Sequence, residues 1–138
     1  MVTNKFWTVV HGGSTHFPIA LLIASLIFDV IGYAINREKT SRELHTASFY
    51  SLILGALASF VAMISGLMLV NWQTLGRGKL LLHHEFVWPA FGLLVALAVW
   101  RLIVRDRASR SAFGIYLAAA FATTVVMSIA GYWGGELR

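Results

Sequence analysis

The chain has 138 residues, of which 58% are hydrophobic and 12% charged, with a mean hydropathy of +0.73. Soluble domains carry about 25% charged residues, so these figures exclude an ordinary soluble fold and indicate a membrane protein. The formal charge is +5 and the pI near 10.1, but the basic residues cluster in short loops, which points to a membrane surface rather than nucleic acid. There is no cysteine, which excludes disulfides, cysteine-ligated iron–sulfur clusters and thioether-bound haem.

Four apolar runs lie at about 17–35, 47–72, 86–104 and 113–133. Each is long enough to cross a hydrocarbon core of about 30 Å as a helix, and in lipid a run that long satisfies its backbone only as a helix. The expected fold is therefore an all-α transmembrane four-helix bundle, up-down-up-down. It forms one domain over residues 1–138, with helices at about 16–35, 47–72, 84–104 and 113–133. Residues 1–15 read as a short polar tail, with Phe6 and Trp7 at the interface. Lys5 stands alone and no small-x-small cleavage site follows the first run, so that run reads as a retained span.

Ser14 or Thr15 can cap the first helix, and Pro18 is tolerated in its first turn. From His16, the small residues Ala20 and Ala24 follow at helical spacing on one stripe. Asp29 lies about 220° round the helix from His16 and near its far end. A carboxylate in a span is a functional candidate by default; here the expectation is a structural salt bridge to Arg37 or to the third loop. The second helix carries Ala58, Ala62 and Gly66 with Gly55 and Ser59 beside them, a pattern that allows close helix packing or room for a flat ligand. Gly76-Arg77-Gly78-Lys79 lacks the spacing of a phosphate-binding loop and reads as a turn. The third helix opens with His83, His84 and Glu85, then Trp88 and Pro89, a proline that kinks a helix when it lies inside one. The fourth bears Thr124 and Ser128 and ends in Gly131-Tyr132-Trp133-Gly134-Gly135-Glu136.

Arg37, Lys39, Arg42, Arg101, Arg105, Arg107 and Arg110 lie on one side of the spans, against Lys5, Arg77, Lys79 and Arg138 on the other. The positive-inside rule then places both termini outside, on the periplasmic side of a bacterial inner membrane. His11, His16, His83 and His84 share that outer side, along with Trp7, Trp72, Trp88 and Trp133. His45 is alone on the inner side.

These residues resemble an uncharacterised family of small bacterial four-span membrane proteins, catalogued as a domain of unknown function. The likeness rests on His11, on His16-Phe17-Pro18-Ile19, on a histidine opening the third helix (His83 or His84), and on Gly134-Gly135-Glu136-Leu137 at the end of the fourth. Gly12 stands where members often have proline. Members occur beside redox proteins, including Rieske-type ones, so the resemblance implies electron transfer with redox proteins or other subunits as partners.

The residues allow the same chemistry on their own terms. A b-type haem in a four-helix bundle wants two neutral imidazoles on facing helices, small residues against the ring and polar partners for its propionates. The expected axial ligands are His16 and His84. Ala20, Ala24 and the second-helix stripe would face the ring, and Arg77, Lys79 or the indole N–H groups would meet the propionates. Trp88 and Phe91 continue the face of His84. His83 is then left for a propionate, a quinol or water, and His11 lies on a glycine-flanked tail whose ordering costs entropy. Two other readings stay open: a copper or zinc site, and a cofactor-free structural subunit. No nucleophile–base arrangement is visible, which favours an electron-transfer subunit, with a quinone as a possible partner, over an enzyme.

Overall fold

The computed structural model describes residues 2–35 and 37–137, with side chains from Lys5 onward. They form α1 (Val2–Ser14), α2 (His16–Ala34), α3 (Glu38–Leu69), α4 (Lys79–Val104), a 3-10 turn (Arg105–Arg107) and α5 (Arg110–Gly135). Four stretches are long and apolar enough to cross a membrane: Lys5–Ala34, Glu38–Leu69, Lys79–Arg107 and Arg110–Gly135. The fold is the expected all-α bundle of four spans.

The spans differ from expectation at their ends. Residues 2–14 are helix rather than tail, and α1 runs into α2 almost without a break. Thr15 keeps helical angles (φ −65°, ψ −24°), and its N–H bonds the carbonyl of His11 at 3.1 Å. Ser14 and Thr15 therefore cap nothing; their hydroxyls donate back to the carbonyls of His11 and Gly12. Packing of α1 along the end of α3 outweighs the helix penalty of Gly12 and Gly13, as tertiary context commonly does. The charged stretch before the second span is also helical from Glu38, where Arg42 pairs with Glu38 one turn back at 2.8 Å. At its other end α3 stops at Leu69 rather than at residue 72, because Asn71 and Trp72 take left-handed φ values of 52° and 63°. The third span begins at Lys79, which sets Pro89 well inside α4. Ser109 caps α5, accepting the Ala112 N–H at 3.2 Å.

The continuous α1–α2 rod packs antiparallel on α3, and α4 packs on α5. These two hairpins then lie side by side through α2 with α5 and α3 with α4. Their buried registers largely coincide. One shift along the chain carries Pro18, Leu22, Ser25 and Asp29 of α2 onto Ala90, Leu94, Leu97 and Arg101 of α4. A second carries Ser48, Leu52, Gly55, Ser59 and Ala62 of α3 onto Tyr116, Ala120, Thr123, Met127 and Ala130 of α5. The exchange also swaps the α2–α5 contact with the α3–α4 contact, as a two-fold axis along the bundle requires. The bundle is thus a tandem repeat of two helical hairpins with a parallel relation, a pattern known among membrane proteins. Leu22, Leu52, Leu94 and Ala120, at matched positions, are all at most 1% exposed and fill its middle.

Candidate functional site

Polar side chains inside the bundle gather at its two ends, separated by that apolar middle. At the first end, His11 of α1 donates from Nδ1 to the carbonyl of Ala62 at 2.9 Å, with Ser65 Oγ at 3.3 Å. His83 of α4 makes the same bond to Ala130, also at 2.9 Å. A carbonyl only accepts, so Nδ1 carries a proton in both rings, and in the neutral imidazole Nε2 keeps its lone pair. Each ring rests on a glycine one turn beyond its acceptor. A Cβ on Gly66 would stand 2.8 Å from His11 Cε1, and one on Gly134 3.1 Å from His83 Cε1; glycine is needed there because the imidazole fills the space. His84, its ring centroid 5.7 Å from that of His83, is 6% exposed and its Nδ1 has no partner.

The sequence-predicted residues fall unevenly around this cluster. His16, proposed as an axial ligand, is exposed, as is Ala20, while Ala24 is half-buried. The reason lies on the same helix. Asp29, Ser25, Leu22 and Pro18 form the buried stripe of α2, and a carboxylate is held off lipid at the expense of any residue on the opposite face. Turning Asp29 inward turns His16 out. His84 does face inward. Trp88 is half-buried, its ring 6.3 Å from His84, and its Nε1–H is committed to the carbonyl of Thr74 at 2.9 Å. Arg77 is exposed in the turn. Lys79 pairs with Glu136 at 2.8 Å, joining the start of α4 to the end of α5.

At the other end Asp29 is fully buried. His45 Nδ1 donates to its Oδ1 at 2.7 Å, and Arg101 Nη1 stands 3.3 Å from Oδ2. Arg101 is itself buried, lies 5.3 and 5.2 Å from the ring centres of Phe113 and Tyr116, and donates from Nη2 to the His45 carbonyl. Ser25 and Ser48 pair beside them at 2.9 Å. The expected structural ion pair of Asp29 is therefore present, with Arg101 as its partner; Arg37 is exposed. His45, expected to stand alone, completes it. An arginine inside an apolar run was the available signal for this cluster.

Among the described residues, no three His, Asp or Glu side chains come together as ligands for a metal ion. The histidine end offers imidazole pairs instead. The family DUF2231, described as a predicted membrane protein, matches residues 8–138. The chain belongs to this family. Neither a curated protein nor a solved structure matches it. The family match covers every residue of both polar ends of this DUF2231 protein.

Proposed function

We propose that this DUF2231 protein is a membrane-integral b-type haem protein, an electron-transfer subunit or anchor of a redox complex. Its histidine end and both termini face the periplasm of a bacterial inner membrane. The observation that carries this reading is the pair of imidazoles from the first and third spans at one end of the bundle, His11 on the Ala62 carbonyl and His83 on that of Ala130, both at 2.9 Å. The residues fit the group: neutral rings in a fixed tautomer are what haem iron takes as axial ligands, and the unpartnered, buried Nδ1 of His84 is a polar atom in want of a partner. A haem held there would supply one-electron transfer. The protein's share is to lock the His11 and His83 imidazoles through the carbonyls of Ala62 and Ala130. A zinc site is less well supported, because such sites take three or four protein ligands.

The test is the visible spectrum of the protein purified in detergent and incubated with haemin. A stoichiometric Soret band with a sharp α band on reduction is expected. Protein that stays colourless would make this chain a cofactor-free subunit and end the proposal.

A further inference from the structure

We infer that His11 and His83 are the axial pair of that haem, occupying equivalent positions on the two sides of the internal two-fold axis. This rests on the haem reading above and goes beyond it by choosing among the histidines on grounds that the repeat supplies.

The register that carries α2 onto α4 carries His11 onto His83. It carries Gly12 onto His84 and His16 onto Trp88. Of the histidines at this end, only His11 and His83 are therefore matched. The register that carries α3 onto α5 likewise carries Ala62 and Gly66 onto Ala130 and Gly134, and these supply the acceptor and the seat of each ring. Two hairpins that differ in most residues keep one arrangement here: Nδ1–H on an alanine carbonyl at 2.9 Å and the ring laid on a glycine one turn further along. The shared hydrogen bond fixes the tautomer that leaves Nε2 free, which is how a ligating histidine is oriented. A group held by two imidazoles calls for two like ligands in like settings, and the repeat supplies them in His11 and His83.

The remaining histidines lack these features. His84 has no acceptor to set its ring, and His16 is exposed. A mobile tail would argue against His11, since ordering a ligand costs entropy, but α1 is helical and the ring is already held by Ala62 and Ser65. His84, lying where the first hairpin has only Gly12, is the unmatched polar group and is left for the rim of the bound ring.

The experiment compares His11→Gly, His83→Gly, His16→Ala and His84→Ala, each reconstituted with haemin and recorded oxidised and reduced. His11→Gly and His83→Gly should lose the low-spin, two-imidazole spectrum, and added imidazole should restore it in both. That rescue separates a lost ligand from a lost fold. His16→Ala should keep the low-spin spectrum, and His84→Ala, which removes a residue at the rim of the ring, should stay low-spin with weaker haem retention. Low-spin haem retained in His11→Gly or His83→Gly without imidazole, or lost in His16→Ala, overturns the axial pair while leaving a haem protein. Wild-type protein that takes up no haem overturns the function itself.

Discussion

At the histidine end, matched positions of the two hairpins carry the same residue, His11 and His83. At the aspartate end they carry opposite charges, Asp29 and Arg101. The opposite charges meet each other at 3.3 Å and largely close their own account. The two imidazoles instead bond outward, each to its own hairpin, and leave a free nitrogen apiece. A repeat of identical hairpins could build the first end but not the second, because Asp would face Asp. Two hairpins joined in one chain can differ where complementarity helps and stay alike where the proposed haem calls for like ligands. The same divergence shows beside the ion pair: His45 corresponds to Phe113 and Ser48 to Tyr116 along the shared register.

The largest expected effect comes from breaking the charge pair. Arg101→Ala leaves a fully buried carboxylate with His45 as its remaining partner, and losing one member of a buried pair costs about 3–5 kcal/mol. Unfolding titrations in mixed detergent should show that loss, and Asp29→Leu combined with Arg101→Leu should recover most of it. If Arg101→Ala is as stable as the wild type, the aspartate end does not clamp the two hairpins together.

How far this contrast was legible in the sequence depends on the residue. Span number and bundle class followed from hydropathy, since no other fold satisfies such runs in lipid. Span ends did not, because residues 38–46 and Val2–Ser14 are helical as well, the latter packed on α3, which composition does not record. Asp29 was recognisable as an ion-pair member, and its position about 220° from His16 already implied that both could not face the bundle. Giving the inward face to His16 passed over the larger cost, that of exposing a carboxylate to lipid. The internal repeat was invisible to residue identity, since few matched positions keep their residue; it shows only once burial marks the register.

A smaller effect is expected from copying one hairpin into the other. His45→Phe places at α3 the residue that α5 has at Phe113, removing the 2.7 Å bond to Asp29 Oδ1 and leaving that buried oxygen unsatisfied. The expected loss is about 1–3 kcal/mol, measured by the same titration, with the spectrum of the haem proposed at the far end unchanged. A shifted spectrum would show that the two ends communicate through the apolar middle.

The smallest effect belongs to the serine pair that borders the ion pair. Ser25 and Ser48 meet at 2.9 Å between α2 and α3, and interhelical hydrogen bonds in membrane proteins average about 0.6 kcal/mol. Ser25→Ala should cost about that much. The partner left behind is not stranded, because a helical hydroxyl can turn back to a carbonyl of its own helix, as Thr123 does to Ala119 at 2.8 Å. The matched position on α4 is Leu97, so the site also accepts an apolar side chain in the other hairpin. A loss several times larger in Ser25→Ala would mean that the serines position Asp29 for its partners, and the aspartate end would then depend on its polar surroundings as well as on its charges.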